Sequence, residues 1–132
     1  MPVVDTSVLV PLFDADHPRH QEAKILVAKP ILLHVTGGVL AELTTVLRRR
    51  GKDVGLDGAR IAREALIHLE GLRGFRHATD YEPESVSRTF GAHPSLSYVD
   101  AWGIVLAMDM GEDLLSFDER QMAAYREGAK SA

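Results

Sequence analysis

Short apolar runs alternating with helix-periodic stretches constrain this chain more than any other feature. Val3-Val4, Ile31-Leu32-Leu33-His34-Val35, the weaker Gly74-Phe75-Arg76-His77-Ala78 and Leu114-Leu115-Ser116-Phe117 have the length and apolar character of strands. Between them lie helical patterns. Ser7 to Phe13 reads as a turn or two of helix in which Pro11 is tolerable only near the start. Asp14-Ala15-Asp16 interrupts it, and Asp16-His17-Pro18 opens a fresh helix whose core stripe, Ala23, Leu26 and Val27, runs to about Lys29. Pro30 stops that helix. After Thr36-Gly37-Gly38, Val39, Leu40, Leu43, Val46 and Leu47 recur at helical spacing through Arg48-Arg49-Arg50, with Gly51 read as the C′ residue. Further helices are expected from Leu56 to Leu72, Glu82 to Phe90, Ser97 to Met110 (closed by Gly111) and Glu119 to Gly128. Strands alternating with helices predict a three-layer α/β/α sandwich around a mostly parallel sheet of four to five short strands, with right-handed crossovers.

At 132 residues the chain fits one domain, 1–132, with no repeat, low-complexity tract or linker. It contains no cysteine, so disulfides and thiolate metal sites are excluded, and a reducing cytosol is the natural setting. With neither a signal-peptide pattern nor an apolar run of membrane-spanning length, a cytoplasmic protein with no membrane association is expected. Its net charge of −4 argues against a dedicated nucleic-acid coat protein, although the average hides a local basic cluster.

Four acids carry the case for chemistry: Asp5, Glu42, Asp100 and Asp118. Each also has a plain structural explanation. Asp5 and Asp118 stand between a strand and a helix, where an N-cap accounts for either. Ser97-Tyr98-Val99-Asp100 has the form of a capping box. Glu42 lies inside a helix with no end to cap, and an ion pair with Arg48 or Arg49 is its ordinary reading. Convergence favours more. The fold places Asp5 and Asp118 at strand carboxyl ends and Glu42 and Asp100 on helices starting at the same edge, where open α/β sheets collect their ligands. Carboxylates gathered there repel one another unless a cation neutralises them. Mg²⁺ does so through a few carboxylates while keeping several waters, and metal-assisted phosphodiester hydrolysis uses such clusters.

The ordered set Val4-Asp5-Thr6-Ser7-Val8-Leu9, Glu42, Leu96-Ser97-Tyr98-Val99-Asp100-Ala101 and Leu115-Ser116-Phe117-Asp118 resembles PIN-domain ribonucleases, in size and order the VapC-type toxins of toxin–antitoxin pairs. The resemblance spans nearly the whole chain. It implies a metal-dependent endoribonuclease, the toxin of a type II pair, in which the four acids hold Mg²⁺ or Mn²⁺ and products carry a 3′ hydroxyl and a 5′ phosphate. It implies that Thr6, Ser7 and Ser116 line the same site, and that the partners are RNA, a cognate antitoxin seated near the first helices and a second copy in a homodimer. The chain departs from the pattern after the last acid, where relatives carry an aromatic and a further strand but this chain has Gln121, Met122 and a polar tail. That departure bears on the fifth strand.

Arg48, Arg49, Arg50 and Lys52 form the densest basic stretch and the expected RNA contact, or else a solvated helix end complementing its dipole. Arg19, His20 and Lys24 form a weaker group. His17 and His20 have i, i+3 spacing but no third ligand in view. Trp102 reads as core or interface. A receiver-type domain would need adjacent early acids and a Lys after its last strand, and after the third strand only Asp80 offers an acid. A haloacid-dehalogenase-like phosphatase would need Asp where Ser7 stands. The non-enzymatic alternative is a PIN-fold module that binds RNA or protein without cutting.

Overall fold

The computed structural model describes residues 1–28, 32–72, 74–78 and 81–131. The expected helix stop at Pro30, the first strand residue Ile31 and Asp80 lie outside them. Within them the order is β1 (Val3–Val4), α1 (Thr6–Phe13), α2 (His20–Ala28), β2 (Leu33–Thr36), α3 (Gly37–Asp53), α4 (Gly58–Glu70), β3 (Phe75–Ala78), α5 (Pro83–Ala92), α6 (Tyr98–Met110), β4 (Leu114–Leu115) and α7 (Glu119–Ser131). The sheet has the order β3-β2-β1-β4, and every pairing is parallel. Among the described residues there is no fifth strand, and α7 occupies the polar tail.

Adjacent strand residues point to opposite faces, and β1 shows the consequence in two residues. Val4 joins the core formed by α1 to α4, which includes Leu9, Leu43 and Leu69. Val3 joins the core on the other face with Ile104, Leu114 and Ala124. Both valines are fully buried, worth about 1.5–3 kcal/mol each. The chain steps outward from β1 to β2 and β3, then returns to lay β4 on the other side of β1. Strand order therefore reverses between β1 and β4. In such sheets that is where ligands bind.

Three local expectations are corrected by the structure. Gly51 is not the C′ residue. It lies buried inside α3, where a Cβ would stand 2.8 Å from the Gly58 Cα, and a Cβ on Gly58 would stand 2.0 Å from the Arg48 carbonyl oxygen. The pair lets α3 and α4 approach backbone to backbone. The left-handed turn falls instead on Gly55 (φ +76°). Gly55 N–H donates to Lys52 O (3.0 Å) and Leu56 N–H to Gly51 O (2.8 Å), a Schellman closure. Pro11 sits late in α1 rather than near its start; the helix ends two residues on, and Pro11 is buried, as are Val8, Leu9 and Val10. α2 begins at His20 rather than at Pro18, because His17 Nδ1 accepts from Arg19 N–H (3.0 Å) and ties the chain into a turn.

Candidate active site

The sheet's own hydrogen bonds bring the first and last acids together. Asp5 N–H donates to Leu115 O (2.9 Å), so the end of β1 is latched to the end of β4. Two serines extend the latch. Ser7 Oγ lies 3.1 Å from Ser116 Oγ and accepts from Phe117 N–H (2.9 Å), while Ser116 Oγ accepts from Asp118 N–H (3.0 Å). Ser7 and Ser116 thus stitch the β1–α1 and β4–α7 turns to each other. Thr6 does something different: its Oγ1 donates directly to Glu42 Oε1 at 2.8 Å.

Each structural explanation for an acid holds locally. Asp5 caps α1, its Oδ2 accepting from Ser7 N–H at 3.0 Å. Asp100 completes a capping box, its Oδ2 accepting from Ser97 N–H (3.0 Å) while Ser97 Oγ accepts from Asp100 N–H (3.1 Å). Asp118 Oδ1 accepts from Arg120 N–H (2.9 Å) and Gln121 N–H (3.3 Å). Glu42 is the exception. Among the described residues no ion pair reaches it, and Arg48 and Arg49 are exposed.

The four acids nonetheless share one field. Burial pushes the Glu42 carboxyl above the ordinary carboxylate range, the Thr6 hydrogen bond opposes this, and the charges of Asp5 and Asp100 push it further up. Asp100 is raised by burial too, opposed by its Ser97 hydrogen bonds and reinforced by Asp5 and Asp118. Asp5 is only 4% exposed and is the one buried ionisable group among the described residues. Asp5, Thr6, Glu42 and Asp100 line an open cleft of about 450 Å³ with Ala41, Thr45 and Val46. Asp118 does not line it; it reaches the cluster through its charge on Asp100.

The basic stretch divides in two. Arg48, Arg49 and Lys52 line a groove with Thr44 and Thr45, which meets the acidic cleft at Thr45. Arg50 turns the other way, pairs with Asp14 at 2.7 Å, and borders a second hollow with Thr6, His17, Arg19 and Phe117. In that hollow the Arg19 guanidinium stands 3.7 Å from the centre of the Phe117 ring. His17 and His20 use Nδ1 on Arg19 N–H and on the Pro11 carbonyl. Trp102 is half-buried against the Tyr81 ring at 4.6 Å.

Sequence reasoning passed over Gln121 as a departure from pattern. It is fully buried, and its Nε2 donates to Asp5 Oδ1 and to the Asp100 carbonyl, both at 3.2 Å. The spacing with Ala124 and Gly128 marks the inward face of the last helix, a signal that was there to read.

Hard oxygen donors, the Glu42 and Asp100 carboxyls raised by burial first and by neighbouring acids second, and, among the described residues, no cation paired to any of the four suit a divalent ion. Among the described residues, however, no three acidic or histidine side chains are grouped to hold an ion directly. Three of the acids are turned toward the backbone N–H groups they cap. A divalent ion held here would therefore take few carboxylates directly and would keep waters of its own.

A PIN domain family model matches residues 3–127. The crystal structure of VapC20 of Mycobacterium tuberculosis, a sarcin–ricin-loop-cleaving toxin, superposes with a TM-score of 0.72 at 29% identity, covering 94% of this chain and 95% of that one. PAE2754 from Pyrobaculum aerophilum superposes with a TM-score of 0.68 at 18% identity over 92% of this chain and 82% of its own, a likeness of fold. No curated protein matches the chain.

Proposed function

The chain belongs to the PIN-domain family, and on that premise we propose that it is a divalent-metal-dependent endoribonuclease, the toxin of a type II toxin–antitoxin pair. The observation that carries this reading is the meeting of Asp5, Glu42 and Asp100 in one cleft with no ion pair to any of them among the described residues. The 29% identity to a toxin along nearly the full length of both chains supports the toxin assignment.

A bound Mg²⁺ or Mn²⁺ supplies a Lewis acid that lowers the pKa of a water and neutralises charge on the scissile phosphate. Asp5 and Asp100, whose caps leave carboxylate lone pairs open, would hold the ion, and Glu42 and Asp118 would add their charge to the site. Thr6 fixes Glu42 for that task. Ser7 and Ser116 keep the two turns, and with them Asp5 and Asp118, at constant separation. Arg48, Arg49 and Lys52 carry RNA phosphates past Thr45 toward the cleft, a sequence-independent contact. Arg50, held by Asp14, contributes less. A cognate antitoxin occupies the groove beside α1 and α3, whose apolar Phe13, Leu47, Val54, Leu56 and Ile61 are rimmed by Asp14, Asp16, Arg50 and Asp53, and the toxin works as a homodimer in the cytoplasm. Among the described residues no helix is long and apolar enough to cross a membrane.

The test is RNA cleavage with Mg²⁺ or Mn²⁺ by Asp5→Asn and Asp100→Asn. Losing the several kcal/mol that an ion supplies lowers the rate by on the order of 10³-fold. Activity near wild type in both variants overturns the reading. Retained RNA binding with no divalent binding by calorimetry selects the non-catalytic module instead.

A further inference from the structure

Gln121 is the third residue of α7, in the first turn, and touches three of the four acid-bearing residues. Its N–H donates to Asp118 Oδ1 (3.3 Å), and its Nε2 donates to Asp5 Oδ1 and the Asp100 carbonyl (3.2 Å each). The amide can point only this way, because the reverse orientation would set Oε1 against a carboxylate and a carbonyl, two acceptors. Its Oε1 is buried with no hydrogen-bond partner among the described residues. An unsatisfied buried oxygen opposes folding, and the neighbouring inward position of α7 is apolar, Ala124. Core packing alone would thus prefer an apolar side chain here. The amide packs over Gly103, where a Cβ would stand in ordinary van der Waals contact with Nε2 at 3.4 Å.

We propose that Gln121 is a positioning residue for the divalent ion, clamping the Asp5 carboxylate to the first turn of α6 so that Asp5 and Asp100 keep one geometry. The inference rests on the nuclease reading and adds the device that holds its two central acids. A neutral donor suits the task better than a cation. It gives buried Asp5 a hydrogen bond without cancelling its charge, and an ionised carboxylate oxygen has a further lone pair for the ion. Lysine or arginine in the same place would compete with the ion for Asp5. Partners that orient ligands from behind in this way are typically worth about 10–100-fold in metal affinity.

The test is Mn²⁺ titration by calorimetry on the full chain, with wild type, Gln121→Met, Asp5→Asn and the double variant. Met keeps length and removes the donors. We expect Gln121→Met to weaken Mn²⁺ binding about 10–100-fold, with RNA cleavage recovering at high Mn²⁺ and KM for RNA little changed. In the Asp5→Asn background, Gln121→Met should add no further loss. In ¹⁵N-labelled protein without metal, Asp5→Asn should move the Gln121 side-chain amide resonance. If Met does not fold, Gln121→Asn, one methylene too short to span both acceptors, should show the same loss. A lower melting temperature with unchanged Mn²⁺ affinity assigns Gln121 to stability alone and overturns the clamp. If wild type binds Mn²⁺ through Asp5 and Gln121→Met or Gln121→Asn binds as well, the clamp fails while the nuclease reading stands. If wild type takes no Mn²⁺, both fall.

Discussion

The two ends of the sheet treat charge in opposite ways. At the amino ends of β1 and β4, the Met1 ammonium donates to Glu112 at 2.8 Å, so the acid there has a cation. His34 nearby loses basicity to burial first and to that ammonium second. At the carboxyl ends, among the described residues, the acids have only neutral donors: the Thr6 hydroxyl on Glu42, backbone N–H groups on Asp5, Asp100 and Asp118, and the Gln121 amide on Asp5. Neutral donors satisfy hydrogen bonding and leave charge standing. An ion pair removes both needs at once. The acidic edge is thus built to be completed by something positive, whereas at the opposite edge Glu112 already has its cation.

That contrast can be broken in four ways. The largest effect expected is on stability with metal. Mn²⁺ at 100 times its Kd should stabilise the fold by about 2.7 kcal/mol, an effect lost in Asp5→Asn and untouched by Glu112→Ala; equal stabilisation of both variants in thermal melts would erase the difference between the edges. Next comes RNA. Arg48→Ala and Arg49→Ala should each weaken RNA binding and reduce the salt slope by about one, with Arg50→Ala smaller because Asp14 already holds it.

The pH response follows from the raised carboxyls. Glu42 and Asp100 bind protons more readily folded than unfolded, so their contribution is fully present below the ordinary carboxylate range and is lost as pH rises through the folded values. The melting temperature of metal-free protein should therefore fall as pH climbs through and above that range, and Glu42→Gln should flatten the curve. A rising curve that Glu42→Gln leaves unchanged would show that these acids are not under mutual strain. The smallest effect belongs to the opposite edge. Glu112→Ala removes a partly exposed ion pair and should cost about 0–1 kcal/mol in denaturant melts, with cleavage unaltered.

The acids were readable because chemistry and position coincide in the chain: a carboxylate directly after β1, another three residues after β4, and a capping box opening α6. The plain and the chemical explanations proved not to be rivals. Asp5, Asp100 and Asp118 each cap a helix, and helix starts at one edge of a parallel sheet converge, so capping is what brings these acids together. Glu42 could be marked as odd, but its partner, Thr6, lies 36 residues away and on another helix. Gln121 could be placed on a buried face from its spacing with Ala124, yet nothing local says that its amide ends on Asp5.

Strand spacing, helix periodicity and the four acids in order were sufficient for a parallel α/β domain with its chemistry at one edge, since these depend on short-range patterns that survive in one dimension. Folding in three dimensions moved the glycine turn from Gly51 to Gly55, carried Pro11 deep into α1, parted Arg50 from Arg48 and Arg49, and turned a polar deviation at Gln121 into a contact with three acid-bearing residues. Each of these follows from packing between segments distant in sequence, where close approach, burial and hydrogen-bond satisfaction outweigh what any residue prefers among its neighbours.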